Sequence, residues 1–211
     1  MENDEIKVIR PFGPSIAKVK IPNELIESLN NYVDEIILDE NKIKNLNYGD
    51  KLVGNVTQEF KLENEFIESS GYLKFLSESV SNWLKISDKK NLKKFSVLGS
   101  WIVRQFQNEY NPIHWHGGHV SGVGYLKVPN SLGKTHQDKK ININGRLQLI
   151  HGSRQFLSPS SMVIMPEVGY YYFFPHYLMH VVYPFYGTQD ERRSISFNAE
   201  VDQEIFNVYE N

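Results

Sequence analysis

Tyr110-Asn111-Pro112-Ile113-His114-Trp115-His116 puts two imidazoles at i and i+2. On an extended segment such side chains point to the same side, and Pro112 favours an extended or turn conformation at this point. His180, far downstream, precedes the β-prone Val181-Val182-Tyr183 and can complete one face of a metal ion. Arg192, further on, can hold a carboxylate. Mononuclear iron chemistry with O2 needs three protein ligands on one face and open positions opposite them. A lone histidine or an HxH pair carries little weight. The pair with a distal histidine and a spaced arginine points to a non-haem Fe(II) site beside an anchor for a keto-acid cosubstrate.

Other residues compete for roles at such a site. His119, after Gly117-Gly118, is open as a ligand or as a substrate contact at the rim, and Trp115 is a second substrate-facing candidate. His176 stands at helical spacing from His180 but follows Pro175, where a turn is expected, and ranks below it. His136 and His151 fall in loop or strand-end context. In Arg192-Arg193-Ser194-Ile195-Ser196-Phe197-Asn198, strand alternation gives Arg192, Ser194, Ser196 and Asn198 one face and Arg193, Ile195 and Phe197 the other. The polar face suits a cavity that receives a carboxylate, where guanidinium offers a planar bidentate match and serine a further donor. It equally suits a solvent-facing edge strand. Tyr125 shares a face with Ser121 and Val123 and is either a second donor to that carboxylate or a core tyrosine. Trp115, Phe173 and Phe174 are aromatics that could exclude water from the site.

The elements that must carry these groups divide the chain in two. Ile6–Ile9 and Ser15–Ile21 read as extended. Pro22 marks a helix start, with Leu25, Ile26, Leu29 and Val33 at helical spacing. Residues 39–51 are polar and read as loop. A second amphipathic pattern, Leu73, Phe75, Leu76, Val80, Trp83 and Leu84, follows a break at Gly71. From Phe95 onward, short β-rich runs alternate with Gly, Pro and Asn: 95–107, 120–128, 147–150, 161–165, 170–174, 180–183 and 194–201. That rhythm predicts an antiparallel sandwich or barrel. Residues 130–144, with Lys134, Asp138, Lys139 and Lys140, read as a long exposed loop. The fold class expected is α+β, mainly β: one domain over 1–211, with helical and strand support over 1–94 and a jelly roll over 95–202.

Composition narrows the chemistry. At 211 residues with 40% hydrophobic content, the chain can bury a substantial core, which argues against disorder. There is no cysteine, which excludes disulfides, thiol nucleophiles and Fe–S clusters. Any metal is left to His, Asp or Glu. A formal net charge of -2 gives no global basic field, so nucleic acid is not an expected partner. No run reaches the length of a membrane span, and the expected location is cytoplasmic.

The segments YNPIHWHGGHVSGVGYLKVP, GSRQF, PEVGYYYFFPHYLMHVVYPF and ERRSISFN, over roughly residues 95–200, together resemble the 2-oxoglutarate/Fe(II)-dependent oxygenase superfamily. The likeness is to a bacterial and phage-like HxH subgroup, distantly similar to the prolyl hydroxylases. It implies a double-stranded β-helix with N-terminal supporting helices. Its cofactors would be Fe(II), 2-oxoglutarate and O2, and its products succinate and CO2 beside a hydroxylated C–H bond. The metal ligands implied are His114, His116 and His180. The cosubstrate's far carboxylate falls to Arg192, Ser194 and Tyr125, with Arg193 as the fallback. One departure stands out: the usual HxD motif is here HxH, with His116 in the carboxylate's place. The substrate expected is a protein or peptide, prolyl included, or a small molecule, and the protein a monomer or homodimer. The rival readings are a three-histidine cupin-like metal enzyme that uses no keto acid, and a non-enzymatic jelly-roll binding protein.

Overall fold

The computed structural model describes residues 6–9, 13–135, 137, 140–207 and 209. His136, Asp138 and Lys139, which the loop reading included, lie outside them. Two short N-terminal strands, β1 (Ile6–Ile9) and β2 (Ile16–Lys20), lead into helix α1 (Asn23–Ile37). Pro22 occupies the N-cap position, its carbonyl accepting from the Leu25 and Ile26 amides. Leu25, Leu29, Val33 and Ile36 form the buried stripe. The polar stretch read as loop contains a helix, α2 (Glu40–Leu46). It buries no residue, so it has no apolar stripe to betray it. Its start is fixed by Asp39, whose carboxylate accepts from the Asn41 and Lys42 amides.

An unforeseen strand, β3 (Gln58–Lys61), precedes α3 (Asn64–Ser69) and α4 (Tyr72–Asp88). Gly71 separates the two helices at φ +83, a conformation glycine takes without strain. The remaining strands are β4 (Phe95–Gln105), β5 (Asn111–His114), β6 (Val120–Lys127), β7 (Leu147–Ile150), β8 (Ser161–Ile164), β9 (Tyr170–Pro175), β10 (Met179–Val182) and β11 (Arg192–Val201), followed by the short α5 (Gln203–Phe206).

These strands form two antiparallel sheets, one of seven strands in the order β1-β2-β9-β6-β11-β4-β3 and one of four in the order β5-β10-β7-β8. The architecture is the expected mainly-β jelly roll with N-terminal helices, although β1, β2 and β3 extend the larger sheet from the half read chiefly as helical. Alternation along single strands sorts side chains into two cores. Tyr171 and Phe173 of β9, with Ile195 and Phe197 of β11, face α1 and α4. Tyr172 and Phe174 face the space between the sheets with Tyr125, Leu147, Leu149 and Ile164. Gly124 explains part of the β6 sequence, because a Cβ there would run into the Tyr171 ring. No helix among the described residues is long and apolar enough to cross a membrane.

Candidate metal and carboxylate site

His114 ends β5 and His180 lies on the neighbouring β10, directly opposite it in the ladder. His116 lies just past the end of β5. Its position is fixed by its backbone: its amide donates to the His176 carbonyl (3.1 Å), and its own carbonyl accepts from His176 Nδ1 (3.0 Å). The ligand atoms of His114, His116 and His180 all lie within 4.8 Å of one another. His116 Nε2 and His180 Nε2 are 3.1 Å apart.

Two of the rings are oriented from behind. His114 Nδ1 donates to the Pro112 carbonyl at 2.7 Å, and His180 Nδ1 donates to the Leu178 carbonyl at 2.9 Å. That tautomer leaves the Nε2 lone pair free for a metal. Burial, reinforced by the neighbouring imidazoles, pushes His116 and His180 down to about 3. Burial lowers His114 as well. All three are therefore neutral donors at ordinary pH, a set that fits iron, zinc or another borderline divalent ion.

The pocket around them is lined from both sheets: Trp101, Val103 and Phe174 wall it, and Tyr125, Arg192 and Ser194 close its far side. Arg192 is 2% exposed. One Nη donates to the Gly145 carbonyl at 2.8 Å, and Nε has no hydrogen-bond partner. Among the described residues no carboxylate lies within ion-pair distance of it. The guanidinium carbon sits 5.8 Å from the Tyr125 ring centre. Ser194 is paired directly with Tyr125 across β11 and β6. Burial lowers Arg192 and raises the Tyr125 phenol to about 12. Arg193, the fallback from the sequence, points to the helical side. There it bonds Asp34 and Glu191 at 2.6 Å each, and the Asn30 carbonyl and side chain at 3.0 Å.

His119 belongs elsewhere. It stacks on Phe206 at 3.7 Å, accepts from the Val201 amide, and lines a separate groove with His151 and His176. Neither ligation nor a place in this pocket fits it, because the backbone pairing with Ala199 turns it away. Trp115 is 66% exposed and is not among the pocket residues. Phe174 packs on His180 at 5.2 Å between ring centres, whereas Phe173 lies in the helix-side core. Asn111 and Trp101, not singled out in the sequence, also line the pocket; Trp101 packs against His116 at 5.5 Å. Asn111 could have been found from its adjacency to the histidine motif.

The jelly roll thus gathers three imidazoles and a buried arginine without a counter-charge in one pocket. Residues 99–198 match the family described as "Putative 2OG-Fe(II) oxygenase". No curated protein matches the chain. Its fold resembles that of a Pseudomonas putida prolyl-4-hydroxylase, with TM-score 0.54 and 15% identity over 88% of this chain and 91% of that one. It also resembles the viral collagen prolyl hydroxylase of Paramecium Bursaria Chlorella virus-1, solved as a 2OG complex (TM-score 0.55, 14% identity, 87% and 94% covered). A third likeness is to HygX from Streptomyces hygroscopicus with nickel and 2-oxoglutarate bound (TM-score 0.56, 10% identity, 88% and 82% covered). At these identities the likeness is one of fold.

Proposed function

We propose that this protein hydroxylates a C–H bond of a peptide, protein or small-molecule substrate, with His114, His116 and His180 holding Fe(II) and with Arg192, Ser194 and Tyr125 holding the far carboxylate of 2-oxoglutarate. The observation that carries this reading is Arg192. A buried cation without a counter-charge is costly, and this one lines the same pocket as the three clustered imidazoles. A ligand that is anionic at one end and metal-chelating at the other satisfies both ends at once.

When bound, Fe(II) with 2-oxoglutarate and O2 supplies oxidation of the C–H bond, coupled to formation of succinate and CO2. The chain supplies geometry and charge. The Pro112 and Leu178 carbonyls keep the His114 and His180 rings in one orientation. Arg192 meets the carboxylate with charge-assisted hydrogen bonds, while Ser194 and Tyr125 offer hydroxyls from neighbouring strands. Trp101, Val103 and Phe174 exclude water, which strengthens each of these interactions. With His116 in place of a carboxylate, the ligand set is neutral. Together with Arg192 the site is more cationic than an HxD site and correspondingly suited to a dianionic cosubstrate.

The test is succinate release from 2-oxoglutarate with Fe(II) under air, alongside 2-oxoglutarate binding to the Mn(II)-loaded protein. The wild type should bind and turn over. His180→Ala should lose metal uptake, and Arg192→Met should keep metal but lose 2-oxoglutarate. A three-histidine enzyme that uses no keto acid would bind no 2-oxoglutarate in the wild type and would be indifferent to Arg192→Met; that result overturns the proposal.

A further inference from the structure

Glu59 is a buried acid to which the site above gives no task. It lies on β3, the edge of the seven-stranded sheet, opposite Val103. Directly opposed residues share a face, so Glu59, Val103, Ser194 and Tyr125 form one row across β3, β4, β11 and β6 on the interior side. Two members of that row were assigned above to the cosubstrate. Glu59 stands at its other end, where β3 approaches β5 and the Asn55–Tyr110 bridge joins the segments that precede them.

Its surroundings contain no counter-charge. Glu59 is 1% exposed, and both carboxylate oxygens are buried without a hydrogen bond that meets normal geometry. Among the described residues it makes no ion pair. The neighbouring polar side chain is Asn111, which also lines the metal pocket. The nearby acid, Glu109, is fully engaged by the Thr57 amide and hydroxyl and by the Phe106 amide. Burial raises the Glu59 carboxyl to about 7, opposed by the Asn111 amide beside it and aided by Glu109. Unsatisfied buried polar groups are rare in native proteins and call for a reason.

The cover over this carboxyl is thin. A Cβ on Gly54 would come within 2.8 Å of Glu59 Oε1 and 2.9 Å of the Asn111 amide nitrogen, and one on Gly49 within 3.8 Å of Oε2. The backbone of this segment therefore rests on the acid. Between Asn47 and Thr57 the segment holds the short turn Gly49–Lys51 and the single bridges of Asn47 to Phe60 and Asn55 to Tyr110, and none of residues 47–58 is buried. Segments with so few buried contacts are the ones that open at low cost.

We infer that Glu59 is the recognition point for a positively charged group of the substrate, an alkylammonium or a guanidinium, admitted where β3 meets β5 beneath the Gly49–Asn55 segment. This rests on the oxygenase reading and adds the substrate's charge to it. An alkylammonium or guanidinium supplies the charge and the donors that Glu59 lacks; a neutral amide or hydroxyl supplies donors alone. Asn111 would then join the acid to the metal pocket and hold the cationic group beside the oxidised position.

The experiment measures succinate release by the full chain with Fe(II) and 2-oxoglutarate, stimulated by matched pairs of probes. Capped single residues and short peptides of lysine against norleucine, and of arginine against citrulline, differ in charge at nearly constant shape. A cationic member should stimulate about tenfold more than its neutral mate. Glu59→Gln should reduce that ratio to about twofold or less, and Glu59→Asp should retain a preference for charge. Equal response to both members, no response to any cationic member, or a preference that survives in Glu59→Gln would overturn the inference. Failure of the oxygenase reading is a separate result, because the wild type would then bind no 2-oxoglutarate in its Mn(II)-loaded form.

Discussion

Arg192 and Arg193 are neighbours in sequence and both are buried, yet they sit in opposite chemical settings. Strand alternation sends Arg193 toward the helices, where Asp34 of α1 and Glu191 each lie 2.6 Å from it. Glu191 is shared further with Arg104 and Lys127. Burial alone would raise Asp34, but its bond to Arg193 and the charges around it leave its carboxyl lowered. Arg192 faces the pocket and finds one backbone carbonyl. The Nε of each arginine is buried without a partner, but among the described residues only Arg193 has carboxylates beside it. Burial alone does not distinguish them; the counter-charge does.

The widest break in this comparison comes from Arg193→Met. It removes the buried cation between Asp34 and Glu191, leaving them Lys127 and, for Glu191, Arg104; loss of one buried partner from such a part-buried network costs about 3 kcal/mol. Urea denaturation should show that loss. Converting Asp34→Asn in the same chain should recover part of it, because that carboxylate is then no longer charged.

Arg192→Met should do the reverse. Removing an uncompensated buried cation leaves the ligand-free stability unchanged or raised. Its effect falls on binding: 2-oxoglutarate affinity for the Mn(II)-loaded protein should weaken by roughly 100-fold, about 3 kcal/mol. As a corollary, 2-oxoglutarate should raise the wild-type Tm and leave that of the variant where it was.

The division between the two arginines was half legible in the sequence. The alternation of polar and apolar residues after Arg192 gives the two faces, and the structure keeps them. The sequence did not reveal which face was solvent, because the partners of Arg193 lie as far away as Asn30, 163 residues earlier. The strands from β4 to β11 were readable for the same local reason: short alternating runs end at turn residues. Helix α2 and strand β3 were not, since one buries nothing and the other offers only Gln-Glu-Phe-Lys. The three histidines that cluster were legible as types and spacing. His119 carried the same residue-level signal as His116, and only its pairing with Ala199 and its stack on Phe206 set it apart. Glu59 gave no sign, because an acid that will be buried looks like any other acid.

Glu59 extends the comparison to the opposite charge, since among the described residues it too is buried without a counter-charge. Its folded carboxyl is raised from 4.5 to about 7, so the folded state holds its proton more tightly than the unfolded chain. Its contribution to stability is therefore greatest below about 4.5 and is lost as pH rises through about 7. Glu59→Gln should match the wild type at low pH and exceed it at pH 8 by on the order of 2–3 kcal/mol. Thermal unfolding of both proteins across that range reads the difference. A constant difference with pH would mean that the acid is paired after all.

The smallest expected effect separates charge from hydrogen bonding within the Arg192 face. Ser194 is 2% exposed and adjoins Tyr125 across the ladder. Under the proposed assignment it adds one neutral-donor bond to a carboxylate already met by a guanidinium. Ser194→Ala should weaken 2-oxoglutarate binding by about 1–2 kcal/mol, a factor of roughly 5–30. Unfolding free energy should change by less than about 1 kcal/mol, since the substitution removes a single hydroxyl from a residue that lines the pocket. Isothermal titration of the Mn(II)-loaded variant gives the first quantity and urea denaturation the second. A loss as large as that of Arg192→Met would place the carboxylate's main contact on the hydroxyl row of Ser194 and Tyr125, and would reduce Arg192 to a source of field. A loss of stability without a loss of binding would return Ser194 to the core and leave the arginine as the sole anchor.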